Sequence, residues 1–169
     1  MTEQSLAPLY RGRAKQNGRL VDAIRPLSDE QLKLRAGPRN APIWALAAHT
    51  AGGRVYWLCG IFKESGAEST PFPDAASGLG WEDDENTPRG ADELVFALGS
   101  SWEIVRRCLE RWTTPMLDDV FTREIGGKTQ GHTRQSVLMR ILTHDAFHSG
   151  EISQILGANG LPEIDLWRA

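Results

Sequence analysis

Two histidines four residues apart, in the segment His144-Asp145-Ala146-Phe147-His148, carry the clearest chemical signal in this chain. On an α-helix residues i and i+4 share a face, so both imidazoles can reach one metal ion. His49, in a second stretch of helical character, offers a third ligand. Three imidazoles leave a coordination position open, as catalytic centres do, whereas structural zinc sites close with four protein ligands and favour cysteine. The expectation is a divalent metal on His49, His144 and His148. Imidazole suits zinc, nickel, iron and copper, and zinc or nickel is expected here. Among four histidines chance gives this spacing roughly once in fourteen sequences, so the pair gains weight from His49.

The residues around these three suit either chemistry or plain packing. Glu151 falls one turn beyond His148 on the same face. It can orient a ligand, take a fourth position or accept a proton from metal-bound water; the alternative is a half-buried carboxylate paired with an arginine. Asp145 points about 80° to 100° away from the histidine line, better placed to support a ligand than to attack a substrate. Glu151 and Asp145 are the candidate catalytic groups. Tyr56, two turns from His49 on the same side, is the candidate substrate-binding residue, with a core tyrosine as the alternative. Gly52 and Gly53 interrupt a helical stretch at about 1 kcal/mol each, which suits either room for metal and substrate or a close helix approach. His132 lies twelve residues before His144, about 18 Å along a continuous helix, and is assigned to the surface or a cap. His-Asp-x-x-His also invites comparison with HExxH proteases. Aspartate reaches less far than their glutamate base and no substrate-aligning sheet is evident, so a peptidase is disfavoured.

Four long helices are expected to position these groups. The first spans about Gln4 to Arg25, with Leu6, Tyr10, Leu20, Val21 and Ile24 on one stripe and Pro26 ending it. After an acidic turn at Ser28-Asp29-Glu30-Gln31, Pro42 opens a second helix reaching about Lys63. The segment from Glu64 to Gly90, with the acidic run Glu82-Asp83-Asp84-Glu85, reads as a long loop whose run is solvated. The third helix begins near Thr87-Pro88, places Asp92 and Glu93 where the helix dipole favours anions, and ends before Pro115. Val120 to Gln130 holds a Gly-Gly turn and suits a small hairpin or an extended crossover. The fourth helix, Thr133 to Ala158, stops at Asn159-Gly160-Leu161-Pro162. On it Val137, Ile141, His144, His148, Glu151 and Ile155 fall within about 40° of one direction, the inward stripe. The expected fold is an all-α four-helix bundle with long crossover connections, in one domain over 1–169.

The composition sets outer bounds. A chain of 169 residues with 40% hydrophobic and 24% charged residues can bury a core without staples. Its net charge of -3 argues against a dedicated nucleic-acid surface. No apolar run is long enough for a membrane span, and Met1-Thr2-Glu3-Gln4 lacks the features of a secretory signal, so a cytoplasmic location is expected. Cys59 and Cys108 fit no CxxC pattern and, in a reducing compartment, read as helix-packing thiols rather than a disulfide. The six tryptophans read as packing residues.

The blocks Ala47-Ala48-His49-Thr50-Ala51-Gly52 and Leu142-Thr143-His144-Asp145-Ala146-Phe147-His148-Ser149-Gly150-Glu151-Ile152, followed by Gly160-Leu161-Pro162, resemble the DinB/YfiT-like superfamily of metal-binding four-helix bundles. The likeness implies that one histidine of the second helix and the HxxxH pair of the fourth bind a divalent metal, matching His49, His144 and His148. It implies a long crossover between the second and third helices, and homodimers are common in the family. Relatives include thiol S-transferases and isomerases using bacillithiol, mycothiol or glutathione, and others described as hydrolases. At the start of the second helix Ala41-Pro42 replaces the hydroxyl residue often seen there, a change for capping more than for metal binding. The implied function is a metal-dependent S-transferase or isomerase acting on a small molecule with a low-molecular-weight thiol cosubstrate. The alternatives are a hydrolase using metal-activated water, with Glu151 as proton acceptor, and a non-catalytic metal-binding bundle.

Overall fold

A computed structural model of the chain describes residues 4–74 and 86–167. The acidic run at 82–85 lies outside them, as does part of the loop between the second and third long helices. The elements are α1 (Gly12–Ile24), the short α2 (Asp29–Leu32), α3 (Ile43–Val55) and α4 (Ala91–Arg111), then β1 (Val120–Ile125), β2 (Lys128–Thr133) and α5 (Arg134–Ala158). The protein is an all-α bundle of four long helices carrying one small two-stranded sheet. No helix among the described residues is long and apolar enough to cross a membrane.

Helix α3 is the central one, packed against both α4 and α5, while α1 covers α4. Its sequence is apolar on nearly every side, the pattern of a helix surrounded by others. Eleven of its thirteen residues are buried; the two exceptions are His49 and Gly53, four apart and therefore on one face. After Val55 the helix widens into a π-helical segment, Tyr56–Ile61, and ends at Lys63 in the left-handed region at φ 58°. Trp44 of α3 and, around it, Trp112, Leu94, Leu98, Ile104, Leu20 and Ile24 fill the core, all at most 2% exposed.

Local signals account for most boundaries. Thr133 caps α5 by accepting from Ser136 N at 3.1 Å, while Thr133 N donates to Ser136 Oγ. At the other end Gly160 takes φ 70° and Leu161 N donates to Leu156 O at 3.0 Å, closing the last turn. Helix α4 starts at Ala91, three residues later than Pro88, because the Glu93 carboxylate accepts from Gly90 N at 3.0 Å and fixes the first turn there. The first expected helix is divided: Ala7–Tyr10 is a 3₁₀ turn and α1 begins only at Gly12. Pro8 removes a donor, and Leu6 N is drawn away to Trp112 O at 2.9 Å. Between Val120 and Thr133 the chain forms a hairpin rather than a crossover. Gly126 and Gly127, at φ 55° and 71°, make the two-residue turn that demands positive φ at both positions.

Candidate metal centre

The half-exposed face of α3 meets α5 at the three histidines. Their ligand atoms all lie within 4.8 Å of one another. His49 Nε2 and His144 Nε2 are 2.8 Å apart, and the three ring centroids are separated by 4.4 to 5.0 Å. Two imidazole nitrogens bound tetrahedrally to one ion would stand roughly 3.4 Å apart. A displacement of a few tenths of an ångström therefore converts the His49–His144 hydrogen bond into shared ligation, and the donor set fits a divalent ion. Among the described residues no fourth histidine, cysteine or carboxylate joins the group.

Each ring is held by identifiable neighbours. A Cβ on Gly53 would sit 3.3 Å from His144 Cε1, so the glycine makes room for this imidazole. The room at Gly53 is taken by the His144 ring, a close approach of α5 to α3. His148 Nδ1 lies 2.6 Å from Glu151 Oε2. A carboxylate acceptor there places the proton on Nδ1 and leaves Nε2 with its lone pair for a metal. Burial first, then the neighbouring His148 and His49, push the pKa of His144 down to about 4, so its ring is neutral at pH 7.

The histidines are not on the most deeply buried stripe of α5, as their periodicity suggested. His144, His148 and Glu151 are half-buried, whereas the adjacent Asp145 is 2% exposed. Asp145 turns into the bundle interior because Arg54 of α3 waits there, 2% exposed itself. Asp145 Oδ2 lies 3.0 Å from Arg54 Nη2, 3.1 Å from Arg54 Nε and 2.5 Å from Arg13 Nη2. Arg54 Nη1 donates onward to Asn17 Oδ1 at 2.8 Å and to Leu98 O at 3.2 Å. One buried network thus ties α1, α3, α4 and α5 directly behind the site. Sequence reasoning missed Arg54, Arg13 and Asn17. The signal was a lone arginine in the apolar run of α3, opposite a lone aspartate on α5.

Tyr56, at the start of the π-helical segment, is half-buried, and its hydroxyl accepts from Arg123 Nη1 of β1 at 3.0 Å. His132 is half-buried and caps no helix. It sits in β2 opposite Phe121, with its ring 4.9 Å from that of Trp57 and edge-on to it. The helix begins after it, at Arg134, so the straight-helix distance to His144 does not apply.

A model of the DinB superfamily matches residues 14–152. The chain belongs to the DinB superfamily. Among solved structures, this DinB-superfamily chain is similar to a DinB-like protein from Bacillus cereus ATCC 10987, at 16% identity and a TM-score of 0.71, over 98% of this chain and 100% of that one. At that identity the likeness speaks for the fold alone. No curated protein matches the chain. Membership of the DinB superfamily and the three-histidine cluster are together compatible with a metal-binding protein.

Proposed function

We propose that this protein is a divalent-metal enzyme, with zinc or nickel on His49, His144 and His148, that transfers or isomerises through a low-molecular-weight thiol. The observation that carries this reading is the open three-imidazole cluster between α3 and α5. An ion held there supplies a Lewis acid that lowers the pKa of a thiol entering its free position. Glu151 fixes the tautomer of His148 through the 2.6 Å contact, and Asp145 acts as a positioning residue by locking α5 against Arg54 and Arg13. The protein's own thiols are poor substitutes for an external one. Burial pushes Cys59 up to about 11 and Cys108 up to about 12.

Commitment of Glu151 to His148 also sets this reading above the hydrolase, which needs a free proton acceptor beside the reacting water. The substrate is a small molecule. Two copies of the chain associate, with exposed Leu9, Phe147 and Leu166 as apolar surface for the contact; sedimentation of the purified protein measures this. For the activity, the test is elemental analysis followed by a screen of thiols with a model electrophile. Metal-dependent conjugation is expected, and it is lost with the metal in His49→Ala. Ester or amide cleavage without thiol would replace this reading with the hydrolase, and metal uptake without turnover would leave a binding protein.

A further inference from the structure

One turn from the histidines, positive charge gathers around a single indole. The guanidinium carbon of Arg123 lies 4.7 Å from the Trp57 ring centroid and that of Arg140 lies 4.8 Å from it, with His132 edge-on at 4.9 Å. Arg54 and Arg13 have an acidic partner in Asp145, and Arg134 has two in Glu64 and Asp119. Among the described residues Arg123 and Arg140 have no carboxylate partner. Arg123 spends its two terminal nitrogens on neutral acceptors, Tyr56 Oη and Gln130 Oε1, each at 3.0 Å. Its Nε and the Nε2 of His132 are shielded from solvent with no hydrogen-bond partner among the described residues. Two guanidinium groups on one indole, neither with a carboxylate partner among the described residues, leave positive charge that an anion would balance.

The location gives that anion a purpose. Arg140 precedes His144 by one turn on the same face of α5, about 6 Å along the axis, and Tyr56, the first residue after α3, follows His49 by about two turns, about 10 Å. The π-helical segment begins at Tyr56, and such widenings accompany functional sites because they re-aim side chains. We propose that Arg140, Arg123, His132 and Trp57 form a subsite for a carboxylate carried by the molecule that reacts at the histidine centre. The guanidinium fork of Arg140 matches the two oxygens of a carboxylate, while the buried Trp57 indole, 9% exposed, holds both guanidinium groups in place against its ring. Anion binding itself stands on the cluster; only the fate of the rest of the molecule rests on the metal-enzyme reading.

The experiment is a titration of the full chain, metal-free and zinc-loaded, with benzoate, benzamide and inorganic phosphate, followed by the NMR signals of the Trp57 indole and the His132 ring. Benzoate should shift both signals saturably in both forms of the protein, and benzamide should not. Arg140→Gln and Arg123→Gln should each weaken benzoate about tenfold while zinc content stays that of the parent. Arg140 is exposed, so its variant tests the idea without threatening the fold; Arg140→Lys, which keeps charge but loses the fork, should fall between. Comparing 3-mercaptopropionate with 2-mercaptoethanol then separates a carboxylate on the thiol from one on the electrophile. The proposal is overturned if benzamide binds as well as benzoate, if phosphate binds more tightly, if neither variant matters, or if binding occurs only with zinc present. Failure of the metal reading registers separately, as absence of zinc uptake, with the metal-free titration unaffected.

Discussion

Gly53 shows how finely one position of the site is set. Alanine there is favoured by about 1 kcal/mol as a helix residue, yet its methyl would meet His144 Cε1 at 3.3 Å. Gly53→Ala should therefore leave metal-free stability within about 1 kcal/mol of the parent while weakening zinc about tenfold through the displaced ring. Urea unfolding and competition with a chromophoric chelator read the two effects apart. The cysteines give a second test. With pKa values raised to about 11 and 12, Cys59 and Cys108 stay protonated at pH 8, where less than about 0.1% is thiolate. Alkylation of the folded protein by iodoacetamide should be slow at that pH, rise toward pH 11, and become fast on unfolding. Rapid labelling of native Cys59 at pH 8 would mean that the chain can supply its own nucleophile.

The helices behind the site are joined by charge as well as by apolar packing. Asp145 is the shared counter-ion of Arg54 and Arg13, with side-chain exposures of 3%, 2% and 11%. Removing the carboxylate strands two guanidinium groups in the interior, so Asp145→Asn should cost about 3–5 kcal/mol in urea unfolding. Replacing Asp145 and Arg54 together by leucine and methionine should recover much of that loss, since a buried ion pair is often matched by apolar residues of similar volume. Lost turnover with unchanged unfolding in Asp145→Asn would instead assign this residue to the chemistry.

Across the molecule, core and site are adjacent but separate. The buried cluster runs through α1, α3, α4 and α5, whereas the histidines occupy the half-exposed seam between α3 and α5. A bundle built this way should not need its metal to fold, unlike small zinc domains. Chelation should leave the far-ultraviolet circular dichroism unchanged. Zinc at a hundredfold excess over its dissociation constant should add about 2.7 kcal/mol to stability, and His148→Ala should abolish that gain.

Much of this was legible from local pattern. The i, i+4 histidines, the apolar periodicity of four helices, the Thr133 and Gly160 boundaries and the Gly-Gly turn all depend on interactions within a few residues, which spacing and residue type determine. Even the Glu151–His148 contact is of this kind, because three residues on a helix share a face. What no spacing revealed is how one segment is rotated against another. That rotation sends Asp145, rather than His144, into the core to meet Arg54, 91 residues away in sequence. It also brings Arg123 to Tyr56 across 67 residues and His49 to His144 across 95. A helix carries its own face directions in its sequence, but which neighbour each face meets is decided only when all the helices compete to bury their apolar surface at once.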